Sequence, residues 1–376
     1  MADRTFPGAW CRAAVLASAV AVALVSGTAA SAGAAVPPAA GGDAAAESLM
    51  DLTVKASGSS YEGTVSVTVS SETGLLSSRL HVIHADARHL VIEAPDPPGP
   101  ALGSLLVQSG QSRSVARVPD GGVSRGRTMQ VDDLLPDGNL QQLLGKYRVV
   151  SDGTARVLGR DAGVVRIERI SDGRAVERWT IEAGTGLLLE RESYDAAGRV
   201  ERSYAFTSVR EPYVATEQDL HPASQVAPFP AAQQLWFTAP ELSRQARALG
   251  VPETLPAGYR LESGTTFKAG AASVVQLVYS DGLEDVSLFA QPGSMARSGL
   301  PASARNVRLS RVDGLRWEGF PRGVAWQDGQ STLTLVGAAP TDELTQMANA
   351  LPQAPLRRSL RQRMGHLVDW MQHRLP

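Results

Sequence analysis

The segment from Gly122 to Gly126 is where residue types and spacing first suggest catalysis. Its pattern, Gly-x-Ser-x-Gly, is that of a nucleophile elbow, in which a sharp strand-to-helix turn exposes the serine. Here Pro119 and an Asp-Gly pair stand where a buried strand should precede the serine, and no apolar helix follows. The context favours a hairpin tip over a catalytic role for Ser124.

Three histidines, His81, His84 and His89, lie close enough in the sequence to be candidate metal ligands. Successive side chains of an extended chain alternate between faces, so His81 and His84 point to opposite sides, as do His84 and His89. They cannot converge on one ion without a bulge. We therefore expect solvent-facing strand histidines and no metal site.

Other motifs for enzymatic chemistry are incomplete. Gly145 and Lys146 lack the earlier glycine of a phosphate-binding loop, and Tyr147 replaces the Ser or Thr that would hold magnesium. Gly184-Thr185-Gly186 is typical of a hairpin turn, and no two carboxylates form an evident acid and base pair. The sequence predicts a protein that is not an enzyme, with no catalytic residue and no cofactor.

The composition is that of a folded chain with more than one core. It has 376 residues, of which 43% are hydrophobic and 20% charged. At roughly 150 residues per domain, two domains are expected. The formal net charge of -2 gives no strongly basic field, so nucleic acid is excluded as an expected partner.

Residues 1–34 have the layout of a secretory signal peptide. Arg4 and Arg12 precede an uncharged apolar run at 13–25, and small residues fit cleavage near Ala32 or Ala34. We expect an exported protein of the periplasm or extracytoplasmic cell envelope; an uncleaved anchor is the alternative. Cys11 is the only cysteine and precedes the run, so the mature chain has no disulfide and no acylated cysteine.

Hydrophobic periodicity predicts two folded parts. After a flexible lead-in at 35–43, an N-terminal domain at 44–211 opens with a short amphipathic helix at 43–56, and further helical turns are expected around 131–144. Val65, Val67 and Val69 alternate with hydroxyl residues, which predicts a half-buried antiparallel strand. Further strands are predicted at 79–83, 89–93, 104–108, 114–118, 155–158, 164–170, 178–182, 187–192 and 200–209.

A Pro-rich stretch at 212–250 is predicted to be a linker. A smaller C-terminal domain at 251–352 should follow it, with a closing helix at 342–351. Its strands are predicted at 273–279, 285–289, 314–318, 323–327 and 331–336. The fold class is therefore α+β and mainly antiparallel β.

The last segment, 353–376, is a candidate basic amphipathic helix. Apolar residues recur at three-to-four spacing, and five arginines stand against the single Asp369. Such a helix could dock on its own protein, on an acidic partner or on an anionic membrane. The candidate contact residues are Arg357, Arg358, Arg361 and Arg363.

Three stretches resemble the MucB/RseB family of exported regulators. The first is Tyr61-Glu62-Gly63-Thr64. The second runs from Arg178 to Arg191 around the Thr-Gly turn, with Tyr204-Ala205-Phe206 after it. The third and most specific pairs Leu255-Pro256-Ala257-Gly258-Tyr259 with Tyr279-Ser280-Asp281-Gly282-Leu283.

The resemblance implies a fold and a role, without catalytic residues. The N-terminal domain would be an open half-barrel wrapped around helix, as in the LolA, LolB and LppX lipid carriers, followed by a smaller α+β domain. The role would be to bind the outer segment of a membrane anti-sigma factor and shield it from proteolysis until an envelope-stress or lipid signal arrives. The basic tail has no counterpart in that family pattern.

An alternative function is a lipid or lipoprotein carrier, or a lipid-binding protein of the envelope. The inner face of the predicted sheet offers side chains that suit either a core or an acyl-chain groove. These groove candidates are Val65, Val67, Val69, Trp179, Ile181, Leu187 and Leu189.

Overall fold

A computed structural model describes residues 59–71, 74–86, 89–96, 103–109, 112–118, 124–125, 142–216, 219, 235–269, 272–297, 300–319 and 321–355. The N-terminal strands are β1 (Tyr61–Ser71), β2 (Gly74–Asp86), β3 (His89–Asp96), β4 (Gly103–Ser109), β5 (Ser112–Val118), β6 (Ser124–Arg125), β7 (Tyr147–Val157), β8 (Arg160–Arg169), β9 (Ala175–Glu182), β10 (Leu188–Tyr194) and β11 (Val200–Arg210).

These strands form one antiparallel sheet, called here the N-terminal sheet. Its order is β6-β5-β4-β3-β2-β1-β11-β10-β9-β8-β7, so the first and last strands meet in the middle of the sheet. The edge strands β6 and β7 do not pair with each other, and the sheet is not closed. The predicted fold class, mainly antiparallel β with an open barrel-like sheet, is confirmed.

Local chemistry explains both a long strand and a tight turn. In β1 the valines at alternate positions lie on one face and the hydroxyls on the other, as predicted. Between β7 and β8, Leu158 and Gly159 have φ values of 52° and 78°. Positive φ at both central residues fits a two-residue turn of type I′. Leu158 is therefore a turn residue rather than the end of the predicted strand.

The C-terminal unit, residues 235–355, holds a second antiparallel sheet of order β12-β13-β14-β15-β19-β18-β17-β16. Its strands are β12 (Leu235–Trp236), β13 (Arg260–Ala269), β14 (Ala272–Ser280), β15 (Asp285–Pro292), β16 (Arg305–Arg308), β17 (Asp313–Trp317), β18 (Arg322–Asp328) and β19 (Ser331–Gly337). A 3-10 turn spans Pro256–Gly258, and the helices are α1 (Ala239–Leu249) and α2 (Thr341–Ala350).

Helix α1 lies within the segment 212–250 that the sequence predicts to be a linker. Thr238 and Glu241 form a capping box, Pro240 lies in the first turn, and Gly250 ends the helix in the left-handed conformation. Proline is tolerated there because the first helical N–H groups have no intrahelical acceptor. Pro240, which falls in the predicted linker, therefore lies at the start of a helix.

Both faces of the C-terminal sheet are packed. One core includes Leu277, Leu288, Trp326 and Leu335, with Leu344 and Met347 of α2 against them. A second core on Trp317 includes Phe289, Ala325 and Val336. Gly323 is required beside Trp317, because a Cβ there would lie 2.1 Å from the Trp317 ring.

Several predicted segments lie outside the described residues: the signal peptide at 1–34, the lead-in at 35–43, the helix at 43–56, most of the helical region at 131–144 and the tail from 356. Residues 142–146 form a helical turn, which accords with the end of that region. Among the described residues, no helix combines the length and apolarity that a bilayer crossing requires.

Candidate functional site

Cross-strand pairing places a row of side chains on one face of the N-terminal sheet. Val67 lies opposite Tyr204, Tyr204 opposite Arg191, Arg191 opposite Trp179, and Trp179 opposite Val165. Directly opposed residues share a face. This face therefore changes from apolar side chains at β1 to a mixture of aromatic, apolar and charged ones at β8 to β10.

The β1 end of the sheet holds an apolar cluster, called here the barrel cluster. Its buried members are Tyr61, Val65, Leu80, Val82, Ala162, Leu187, Leu189 and Phe206. Val67 and Tyr204 pack against it and are only partly buried. Gly63 is needed here, since a Cβ would lie 2.7 Å from the Phe206 ring.

The predicted groove residues therefore divide into two groups. Val65, Leu187 and Leu189 are buried in the barrel cluster, where they serve as core. Trp179 and Ile181 belong to a second group near β7 to β9, called here the interface cluster: Leu143, Tyr147, Val149, Val165, Ile167, Ile181 and Leu188, with Trp179 packed against them. Val69 is half-buried. The structure thus brings these residues onto one sheet but not into one groove.

The interface cluster is completed by a residue of the C-terminal unit. Leu283, in the turn between β14 and β15, is 4% exposed and packs among the N-terminal side chains. This turn, residues 280–285, is called here the docking hairpin. Asp281 shapes it by accepting hydrogen bonds from the N–H groups of Leu283 (3.0 Å) and Glu284 (2.9 Å).

Polar contacts surround Leu283. Asp281 Oδ2 accepts hydrogen bonds from Lys146 Nζ at 2.6 Å and from the Tyr147 hydroxyl at 2.7 Å. Glu284 Oε1 accepts from a terminal nitrogen of Arg202 at 2.5 Å. The amide of Gln142 donates to the backbone oxygen of Ser280. Each contact joins the N-terminal sheet, or the helical turn before it, to the hairpin.

Behind the hairpin lies a fully buried carboxylate, that of Glu177. It accepts hydrogen bonds from Arg191 (2.7 and 2.5 Å), Ser193 (2.8 Å) and Trp179 Nε1 (2.5 Å). Arg202 approaches the same carboxylate at 4.0 Å. A buried charge is tolerated when it is paired and hydrogen-bonded in this way. Glu177 thus orients the two arginines that face the hairpin.

Further ion pairs join the two parts of the chain at the periphery. Glu343 of α2 lies 3.3 Å from Lys146 and 3.2 Å from Arg169. The Lys146 ammonium also lies 4.6 Å from the centre of the Tyr259 ring, a cation–π distance. In one further pair the charges are reversed: Arg322 of β18, in the C-terminal unit, binds Glu201 of β11, in the N-terminal sheet.

Burial changes the proton affinity of several of these groups. It raises the pKa of Glu284 to about 7 and that of Asp285 to about 6, because a carboxylate loses hydration when it leaves water. Burial and the adjacent Asp281 likewise raise the pKa of Tyr147, which keeps its hydroxyl protonated as a donor.

The residues proposed for other chemistry lie elsewhere. Ser124 lies in β6 with its backbone opposite Arg117, which corrects the expectation of a hairpin tip. His84 is buried and stacks on Tyr61 at 5.0 Å, so the expectation that it faces solvent is wrong. His81, 32% exposed, lies 3.1 Å from Glu62. Among the described residues no three His, Cys, Asp or Glu side chains are grouped as a metal site.

The C-terminal unit also has an open polar cleft of about 600 Å³ between the ends of α1 and α2. Arg247, Arg311 and Asn349 are among its lining residues. The chain leaves α2 beside this cleft on its way to the basic tail, through Pro352 and Gln353.

Sequence reasoning missed the interface residues Lys146, Glu177, Arg191 and Arg202. One sequence signal pointed to this site: the Tyr-Ser-Asp-Gly-Leu motif at 279–283 overlaps the docking hairpin. Its partners are 82 to 138 residues away along the chain, so no local pattern identifies them.

Comparisons with known proteins support the resemblance. Residues 107–224 match the family model described as the MucB/RseB N-terminal domain. A chain in the complex structure of Pseudomonas aeruginosa MucA/MucB is 18% identical, with a TM-score of 0.53, and the match covers 83% of this chain and 99% of that one. A chain in a crystal structure of MucB in complex with MucA(peri) is 19% identical, with a TM-score of 0.51 and coverage of 83% and 100%. A search of curated proteins found no match.

Proposed function

We propose, from the premise that residues 107–224 belong to the MucB/RseB N-terminal domain family, that this chain is an exported negative regulator of an extracytoplasmic-function sigma factor. It would bind the outer segment of a membrane anti-sigma factor and protect that segment from proteolysis until an envelope-stress or lipid signal arrives. The observation that carries the proposal is the shared fold, over 83% of this chain, with chains from two MucA/MucB complexes.

The described contacts support a binding role. Intrachain ion pairs and hydrogen bonds hold the two parts of the chain against each other. With the proposed boundaries of 44–211 and 251–352, each domain would offer one surface to the same partner segment. A regulator needs such a surface and no reacting group.

The test uses the purified chain and the outer segment of a single-span anti-sigma protein encoded beside it. We expect a stable complex in size-exclusion chromatography with light scattering, and slower cleavage of the segment by a trypsin-like protease. A segment of identical composition in scrambled order is the control. Absence of a complex, with cleavage as fast as in the control, would contradict the proposal.

A lipid-binding role is the second candidate, because Val67, Val69 and Tyr204 are only partly buried on the inner face of the sheet. Apolar surface left at the edge of a core can hold an acyl chain. Native mass spectrometry should then show a stoichiometric acyl ligand, reduced by Val67→Glu. Thr68→Glu, on the opposite face of β1, is the matched control. A ligand-free wild-type protein would exclude this role.

We further propose that the mature protein begins after Ala32 or Ala34 and that the tail contacts an anionic membrane or an acidic partner. Replacing Arg357, Arg358, Arg361 and Arg363 by Gln should weaken binding to vesicles containing phosphatidylglycerol, most strongly at low salt, since screening is weakest there. Vesicles of phosphatidylcholine alone are the control. Unchanged binding at low salt would instead indicate docking of the tail on its own protein.

A further inference from the structure

The docking hairpin carries more negative charge than the sheet beneath it neutralises. Asp281 is bound by Lys146 and Tyr147, and Glu284 by Arg202. Asp285 is half-buried, and the hydrogen bond that lowers its pKa comes from the neighbouring Ser280. Three carboxylates thus fall within five residues of one turn.

The charged groups that face the hairpin can be counted by element. The cations are Lys146 before β7, Arg191 of β10 and Arg202 of β11; the anions are Glu177 of β9 and the hairpin carboxylates Asp281, Glu284 and Asp285. Arg169 and Glu343, at the rim, add one charge of each sign. The described groups therefore leave one carboxylate in excess.

The excess charge is held away from water. Asp281 and Glu177 have fully buried side chains, and the side chain of Glu284 is only 16% exposed. Arg191 is already bound by Glu177 through two hydrogen bonds. Concentrating like charges in a poorly solvated place is unfavourable, and protonating one of them removes the cost.

We infer that docking of residues 280–285 onto the N-terminal sheet takes up a proton, so that mild acid favours the docked arrangement and higher pH releases the C-terminal unit. The direction follows from linkage. Undocking returns both carboxylates to water, where their pKa values are near 4.5 and 3.8, against about 7 and about 6 when docked. The stabilisation is complete below about pH 4 and is lost as the pH rises to 7.

Docking of the hairpin involves contacts within one chain and needs no anti-sigma partner. Its size can be stated for Glu284 alone. Between pH 5.5 and pH 8.0 the docking equilibrium constant should fall roughly 30-fold, from the shift of that one group.

Lys146 offers a direct measurement in the intact chain. The chain has only two other lysines, Lys55 and Lys268, and the Lys146 side chain is 18% exposed under the hairpin. Acylation of Lys146 by an N-hydroxysuccinimide ester, measured by peptide mass spectrometry relative to the other two lysines, reports undocking. We expect the relative rate to rise roughly 30-fold or more between pH 5.5 and 8.0.

Variants separate this inference from an unspecific pH effect. Glu284→Gln keeps an oxygen for Arg202 but cannot titrate, so most of the pH dependence should vanish; Asp285→Asn should remove a smaller share. Glu253→Gln, at an exposed site of the same unit, should follow the wild type. Far-UV circular dichroism verifies folding. A pH-independent wild-type ratio, or a Glu284→Gln or Asp285→Asn protein that follows the wild type, would overturn the inference.

Discussion

The two clusters on the N-terminal sheet differ in how they are completed. Among the described residues, the members of the barrel cluster come from the sheet and from the turn before β10, and Val65 and Leu189 are fully inaccessible. The interface cluster is open without Leu283, which arrives from another part of the chain with Asp281 and Glu284 on either side of it. Within the part of the chain that the structure describes, one end of the sheet is completed by N-terminal residues, and the other by the docking hairpin.

The two clusters differ in how readily their contacts can be lost without unfolding. Burial of apolar side chains within one sheet is lost only when the sheet unfolds. Contacts between the sheet and the docking hairpin can be lost while both remain folded, and their ion pairs respond to protonation. A change of pH that alters the protein without unfolding it would therefore act at the interface cluster.

The largest expected effect comes from removing the charge at the centre of the interface. Glu177→Ala leaves Arg191 buried without its carboxylate, which should cost about 3–5 kcal/mol in the free energy of unfolding. Urea unfolding followed by circular dichroism measures it. Glu192→Ala, on the neighbouring strand, removes a carboxylate that accepts a hydrogen bond from the Tyr194 hydroxyl and should cost about 1 kcal/mol. Equal losses of unfolding free energy in the two variants would show that the Glu177 carboxylate has no special role in the interface.

The barrel cluster should respond as a conventional core. Leu189→Ala removes a fully buried side chain and should lower the free energy of unfolding by about 2–5 kcal/mol. Leu75→Ala, at a position 74% exposed in β2 of the same sheet, should change it by about 0.5 kcal/mol or less. A Leu189→Ala protein as stable as the Leu75→Ala control would show that Leu189 does not lie in a closely packed core.

The smallest effect on stability, and the largest on docking, is expected at Leu283. Leu283→Ala removes part of one side chain from the interface cluster, about 1–3 kcal/mol of apolar burial, so Lys146 should be acylated faster at constant pH. Leu300→Ala, in the Trp317 core, should destabilise the protein without faster acylation under native conditions. If Lys146 is acylated equally fast in both variants, the hairpin undocks only when the protein unfolds.

Much of the sheet structure can be predicted from the sequence because it is local. Alternation in β1 and β11 and the Gly184 to Gly186 turn depend on neighbours a few residues apart. Strand β13 was missed because Ser263 and Gly264 interrupt the alternation, although Gly264 is required there: a Cβ would lie 2.8 Å from Leu277. Helix α1 was missed because its proline, which marks a helix start, also suits a linker.

The alternating strands are predictable from the amino-acid sequence alone, since they follow from residue type and spacing, and the Tyr-Ser-Asp-Gly-Leu motif is visible in it. The burial of Leu283 against β7 to β10 is set by the tertiary structure, as are the contacts of Lys146 with Asp281 and of Arg202 with Glu284. The physical reason is the distance along the chain over which each interaction acts. Strand and turn preferences act over a few residues, whereas charge pairing and apolar burial act through space between segments that the chain brings together only when it folds.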